Sequence, residues 1–351
     1  MTEQTSIMEA GDRIPNFMLK DQWGKNFELY TSIYGGPIVL VVMSFNDQGN
    51  TFLLRALNKK IPEFEAQNAH CFVVCNDTVE SHAALSQELD LHFPLIADPE
   101  NQVVDWFLSA VQVPAPIVLV LDPNQRLHSL KQGANGDGAA LPGEALKEVK
   151  KIAPKGKPRI ISEMAPALLI PNVFSRDFCS RLIDLWENGK QMSGMVSKGK
   201  SDNNEEIVDY GFKRRKDHII DDWELGNEIV KILGKRLCTE VEKIHYYEKW
   251  TFEGFRIGCY EDTDDGFFKA HRDNFNEALK DRRYAVSINL NAEEYEGGDL
   301  RFLEYGHDLY RPPTGGAVVF SCSLLHEVLP VTKGRRFVFL TFLNEFQPQQ
   351  T

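Results

Sequence analysis

The sequence predicts a two-domain chain, an α/β domain followed by a β-rich one. Three observations carry this. Over residues 1–152, apolar β-branched runs alternate with helical stretches, the pattern of an α/β sheet. From Trp250 onward, short runs of alternating polarity are broken by glycine or charged turns, which suggests a sandwich or barrel. Between them lies APKGKPR, residues 153–159, whose proline, glycine and lysine mark a linker that we place at 153–164. The second domain then spans 165–347, and 351 residues suit two domains.

In chain order, PIVLVVMSF (37–45) is a buried strand, because it is apolar throughout rather than alternating. A helix follows at roughly 51–67. HCFVVCND gives a second buried strand, with a helix near 78–90. PLIAD (94–98) and a short helix come next, then PAPIVLVLDPNQRLHSL, two strands across a DPNQ turn. KQGANGDGAAL (131–141) is a glycine-rich loop before a helix at 142–152. Cys71 and Cys75 share one face of their strand about 13 Å apart. That is too far for a disulfide, so they read as small core residues.

The second domain opens APALLIPNVFSRDFCSRLIDLWENG: a strand, then a helix capped by Ser175 and ended near Gly189. Residues 190–217 are polar and read as a long irregular segment, with KRRK (213–216) a solvated loop. The sharper alternative for KRRK is a contact to a substrate carboxylate or phosphate. A helix at 223–243 precedes the β-rich region.

The chemistry centres on FFKAHRDN, residues 267–274. His271 and Asp273 lie two apart, so on extended backbone they leave the same face. His326 follows in LLHEVLPVTKGRRFVFLTF, with Arg336 ten residues beyond it. Two histidines and a carboxylate are the facial donor set of non-haem Fe(II) sites. A guanidinium can grip a carboxylate by a bidentate pair. Arg335 and Arg336 compete for that role, since neighbours on a strand face opposite ways. His307 is the rival second histidine, but no arginine follows it at that offset. Asp264 and Asp265 read as a solvated turn, and Gly297 and Gly298 as a backbone turn. Arg256 and Tyr260 share a strand face, so both are candidates for one pocket.

Residues from about 165 to 343 resemble the prolyl-4-hydroxylase-like branch of the 2-oxoglutarate- and Fe(II)-dependent dioxygenases. CYEDTDDGFFKAHRD, YAVSINLN, EGGDLRF and GGAVVFSCSLLHEVLPVTKGRR carry the resemblance. It implies a double-stranded β-helix, a jelly roll with flanking helices. It implies that His271, Asp273 and His326 bind iron, that Arg336 binds the distal carboxylate of 2-oxoglutarate, and that Tyr260 helps hold that cosubstrate. The implied reaction is hydroxylation of an unactivated C–H bond of a peptidyl residue, prolyl in type, or of a small amino-acid-like molecule. Fe(II), 2-oxoglutarate and O2 take part, ascorbate is a candidate reductant, and succinate and CO2 are released. Whether Tyr284, Ile288 or Asn289 faces the cosubstrate stays open. A non-catalytic scaffold or sensor that binds iron and 2-oxoglutarate is the competing reading.

Residues 8–150 resemble the peroxiredoxin branch of the thioredoxin fold through GDRIPNFML, GGPIVLVVMSFND, FVVCND, FPLIAD and PIVLVLDPNQRL. The peroxidatic cysteine of that family belongs near Thr51, and its arginine at Pro116. A hydroxyl cannot replace a thiolate towards peroxide, so the resemblance implies the fold without peroxidase activity. A second copy of the chain or a protein partner is the expected occupant of that domain's surface.

The formal net charge of −12 argues against a general nucleic-acid or membrane-surface binder. MTEQTSIMEAGDRIP lacks a secretory pattern, and no apolar run is long enough to span a bilayer. Six cysteines in this length do not make a disulfide framework, so cytoplasm is the expected compartment. Substrate choice is expected in residues 190–217 and 274–282.

Overall fold

The computed structural model describes residues 8–44, 48–133, 138–152, 160–198, 205–246 and 250–345. The chain divides into two compact units, Met1–Pro158 and Arg159–Thr351. Most of the expected linker, residues 153–159, lies outside the described residues.

The first unit is built on a seven-stranded sheet. Its order is Asn26–Glu28, Met18–Asp21, Leu95–Ala97, His70–Cys75, Ile38–Met43, Ile117–Leu121, Leu127–Gln132. The three strands from Leu95–Ala97 to Ile38–Met43 run parallel, and the outer pairings are antiparallel. Ile38–Met43 shows why its sequence lacks alternation. Val39, Val41 and Met43 pack under the helices Gln48–Glu65 and Leu141–Val149, while Ile38, Leu40 and Val42 pack under Gln102–Val111. A strand covered on both faces is apolar at every position. This is the thioredoxin-like arrangement, with the helix that carries Thr51 following the first central strand. The hairpin Met18–Asp21/Asn26–Glu28 extends the sheet edge where the sequence suggested no strand. It turns Phe27 and Leu19 to the core and leaves Met18, Lys20 and Asn26 outward, too short a run to read as strands.

The second unit is a two-sheet jelly roll. The larger sheet is antiparallel, in the order Leu168–Ile170, Ala317–Ser321, Arg282–Asn289, Arg335–Glu345, Trp250–Glu261, Lys216–Ile220, Met192–Ser193. The smaller is Phe268–His271, His326–Val328, Leu300–Phe302, Leu309–Tyr310. Alternation decides what each strand presents. On Arg335–Glu345, Phe337, Phe339 and Leu343 face the helices Arg176–Asn188 and Trp223–Leu233, whose Leu182, Trp186, Ile229 and Leu233 complete that core. Val338, Leu340 and Phe342 face the smaller sheet and its Leu300, Phe302 and Val328. The helix expected at 223–243 continues through a π-helical turn, Gly234–Cys238, to His245.

One expectation fails here. The described part of 190–217 is not irregular: it holds Met192–Ser193, Val196–Lys198, Glu205–Ile207 and the start of Lys216–Ile220. Met192–Ser193 is the edge of the larger sheet and Val196–Lys198 pairs with Glu205–Ile207 in a hairpin of its own, short polar runs without the apolar pattern of a core strand.

Candidate active site

A cavity of about 580 Å³ opens between the two sheets. His271 ends one strand of the smaller sheet and His326 begins the next, and the two are direct cross-strand partners. Asp273 follows two residues after His271, and its N–H donates to the Cys322 carbonyl at 2.9 Å. The sheet register therefore assembles the cluster. Ligand atoms of His271, Asp273 and His326 all lie within 4.8 Å of one another. Nε2 of His271 is 3.4 Å from Asp273 Oδ1, and Nε2 of His326 is 3.5 Å from Oδ2.

The other ring nitrogens are tied to backbone. Nδ1 of His271 lies 2.7 Å from the Lys269 carbonyl, and Nδ1 of His326 lies 2.9 Å from that of Leu324. A carbonyl accepts only, so each Nδ1 carries the proton and each Nε2 presents its lone pair to the cluster. Burial pushes His326 well below its ordinary value, keeping it in the neutral form that binds metal. Burial raises Asp273, but His326, His271 and Arg282 outweigh it and hold the carboxyl below the usual range. Phe268 stacks on His271 with ring centroids 3.6 Å apart.

Arg336 lies deeper and is 4% exposed. Its Nη2 donates to Asn289 Oδ1 at a long 3.4 Å, while its Nε and Nη1 are buried without a partner. A buried guanidinium with unused donors, one on each of its two edges, suits a carboxylate. Arg335 points the other way and pairs with Glu187 at 2.6 Å on the surface. Arg336 pairs across the sheet with Tyr260, and its guanidinium carbon stands 5.3 Å from that ring's centroid. The Tyr260 hydroxyl accepts from Arg215 Nη1 at 3.3 Å. Gly298, at φ +65°, backs onto this group: a Cβ there would lie 3.2 Å from Arg336 Cδ and 2.8 Å from Val331 Cγ2.

The KRRK run is not a solvated loop. Lys213 and the Arg215 side chain are buried against the cavity, and Arg215 forks onto Asp217 at 2.5 and 2.7 Å. Burial is tolerated because each charge has a carboxylate or carbonyl partner. Asp217 two residues past Arg215 was the available sign. Arg256 and Tyr260 both line the cavity. Phe275, Leu279 and Arg282 reach it from 274–282, and Met195, Phe212 and Lys213 from 190–217. Arg282 pairs with Glu253 and donates to the Asp273 carbonyl at 3.3 Å, a support that sequence reading missed. Of the residues left open, Asn289 meets Arg336, Ile288 lies in the outer core, and Tyr284 stacks on His245. His307, Asp264 and Asp265 are exposed and outside the cluster.

In the first unit, Thr51 lies on the helix after the first central strand. Cys71 and Cys75 lie on the next strand, not on that helix. Burial pushes both thiols up, Cys75 to about 12, which leaves no thiolate at neutral pH.

Comparison with known proteins agrees with this division. Residues 10–129 match the AhpC/TSA family and residues 255–344 the 2OG-Fe(II) oxygenase superfamily. Procollagen-lysine,2-oxoglutarate 5-dioxygenase 1 of Rattus norvegicus is 25% identical over 49% of this chain, which spans only 23% of that relative's length. A PKHD-type hydroxylase of Stutzerimonas stutzeri is 27% identical over 48% of this chain and 74% of its own. The solved viral collagen prolyl hydroxylase of Paramecium bursaria Chlorella virus-1 is 18% identical, with a TM-score of 0.37, over 51% of this chain and 96% of its own. The chain therefore joins an N-terminal domain of the AhpC/TSA type, with its thioredoxin-like fold, to a C-terminal domain of the 2OG-Fe(II) oxygenase superfamily.

Proposed function

We propose that the chain is a 2-oxoglutarate- and Fe(II)-dependent dioxygenase that hydroxylates an unactivated C–H bond, with a peptidyl residue or a small amino-acid-like molecule as substrate. One observation carries the reading. An inward-facing His–Asp–His set lies in the same cavity as a buried arginine with two unused donors. The donor set fits a hard-to-borderline cation with open positions, and the orphaned guanidinium fits a diacid's far carboxylate.

In this reading His271, Asp273 and His326 hold Fe(II), and Arg336, steadied by Asn289 and Tyr260, anchors 2-oxoglutarate. Bound together, iron and 2-oxoglutarate supply the oxygen activation that converts O2 and the keto acid to succinate, CO2 and a hydroxylated product. The protein's work is placement. Backbone carbonyls fix both imidazole tautomers, Arg282 holds the Asp273 backbone, and Phe268 and Phe320 keep water from the histidines. Arg215 holds the Tyr260 hydroxyl towards the cosubstrate end. Ascorbate serves as auxiliary reductant. The AhpC/TSA-type domain serves as a binding module for a second copy or a protein partner, in the cytoplasm. No described helix is long and apolar enough to cross a membrane.

The test is anaerobic titration of the full chain with Fe(II) and then 2-oxoglutarate, following the visible charge-transfer band of a chelated keto acid. The band is expected in wild type and lost in His271→Ala. Its absence in folded wild type sinks the proposal. A band without succinate formation, once O2 and a broad peptide and amino-acid panel are supplied, would instead favour the scaffold or sensor reading.

A further inference from the structure

The cavity holds more positive charge than its own carboxylates balance. Arg282 is matched by Glu253, Arg215 by Asp217 and Arg272 by Glu304. Besides Arg336, two cations remain. Lys213 Nζ donates to the Met195 carbonyl at 2.9 Å and stands 3.9 Å from Asp217, whose oxygens Arg215 already occupies. Arg256, which lines the cavity, has no hydrogen bond or close ion pair among the described residues: Asp217 and Glu253 act on it only at longer range and are already paired with Arg215 and Arg282.

This wall is built in. A Cβ at Gly194 would come 2.7 Å from Lys213 Cε, and one at Gly258 would come 2.8 Å from Arg215 Cδ. Two glycines thus make the room in which the cations lie. Along the inner face of Trp250–Glu261 the order is Tyr260, then Gly258 under Arg215, then Arg256. Four strand residues separate Tyr260 from Arg256, about 13 Å. A five-carbon diacid anchored beside Tyr260 is roughly half that length, so the backbone position of Arg256 lies well beyond it.

We propose that Arg256 and Lys213 form a second anion subsite in this cavity, separate from the cosubstrate's, and that it takes a substrate with a carboxylate attached to an apolar body. The proposal rests on the oxygenase reading for its chemistry but not for its binding. Phe212, Phe268, Phe275 and Leu279 supply the apolar surroundings. Lys213 stands 4.9 Å from the centre of the Phe268 ring, and that ring stacks on His271. An anion held by Lys213 is thus one aromatic ring away from the His–Asp–His cluster. Burial, with Arg215 beside it, pushes Lys213 down to about 7. A bound carboxylate would relieve that cost.

The probes are butyrate and 3-phenylpropionate, each beside its neutral amide. They are titrated calorimetrically into the full chain holding Mn(II) and saturating 2-oxoglutarate, so that Arg336 is already occupied. The acids are expected to bind at millimolar concentration or tighter, and the amides at least about tenfold more weakly. Arg256→Gln should erase the preference for acids while 2-oxoglutarate affinity stays within about threefold of wild type. Arg256→Lys should keep most of the preference, which separates lost charge from lost folding. An uncompensated cavity cation takes up even an ill-fitting carboxylate, so acids that bind no better than amides overturn the proposal. A fall in 2-oxoglutarate affinity in Arg256→Gln as large as that in Arg336→Gln overturns it too, because Arg256 then belongs to the cosubstrate. The same titration in metal-free Arg336→Gln protein isolates the subsite. Acid preference there supports it even if wild type takes up no 2-oxoglutarate, a result that would remove the oxygenase reading alone.

Discussion

Replacing Arg336 with methionine should move two observables in opposite directions. Without cosubstrate, the guanidinium is 4% exposed, makes one long contact to Asn289 and leaves Nε and Nη1 unsatisfied. Each unsatisfied buried donor costs about 1–3 kcal/mol. Exchanging a poorly compensated buried ion for an apolar side chain of similar volume is often stabilising by about 1–4 kcal/mol. Arg336→Met should therefore raise the stability of the cosubstrate-free domain by about 1–3 kcal/mol. With 2-oxoglutarate present the sign reverses. Losing one partner of a buried charge pair costs about 3–5 kcal/mol, so affinity should fall by roughly two to four powers of ten. Chemical denaturation with and without 2-oxoglutarate reads the first effect, and calorimetric titration on the Mn(II) form reads the second. Arg335→Gln is the control. It breaks one exposed pair with Glu187, worth about 0–1 kcal/mol, and should leave affinity alone. If Arg336→Met loses stability without cosubstrate, or keeps wild-type affinity, the unused donors are not a carboxylate site and the reasoning fails.

Other consequences are as direct. Gly258→Val places side-chain atoms where Arg215 lies. It should cost about 1–3 kcal/mol in overpacking and weaken 2-oxoglutarate binding several-fold as Tyr260 loses its partner; unchanged denaturation and affinity would contradict the packing. Lys213 has a folded value of about 7 against an ordinary 10.5, so between these the unfolded chain binds the extra proton and stability rises with pH. That rise, on the order of a few kcal/mol, should be absent from Lys213→Met when the two denaturation profiles are compared across pH 7–10. In native protein a thiol reagent should label Cys71 at most, since the other five cysteines are buried, and the protein should consume no peroxide above background. Peroxide turnover in wild type would refute the structural reading of the first domain's thiols.

The parts of this molecule legible in its sequence are those set by local periodicity. The apolar runs in Ile38–Met43 and Arg335–Glu345 each announce a strand buried on both faces, alternation puts Arg335 and Arg336 on opposite sides, and the resemblance's offset from His326 picks Arg336 as the inward one. The His271–Asp273 spacing likewise needs only an extended backbone. What stayed hidden depends on partners distant in sequence. Lys213 and Arg215 looked solvated because the glycines that admit them lie at 194 and 258, and only folding brings these together. Asn289 could not be told from Tyr284 or Ile288 until the register with Arg335–Glu345 was known. The strands between 190 and 217 are two or three residues long and polar in composition, at one sheet edge or in a separate hairpin, so composition concealed them.

The cross-strand pairing of His271 with His326 has a consequence for how the chain tolerates change. A strand shifted by one residue turns every side chain to the opposite face. A single insertion within Phe268–His271 or His326–Val328 would therefore send a histidine outwards. A metal held by all three side chains would act as a clasp on the pairing, penalising every slipped alignment. Amide exchange in these two short strands should slow on metal loading more than in the larger sheet. The ion would thus proofread the frame of the small sheet as well as serve its chemistry.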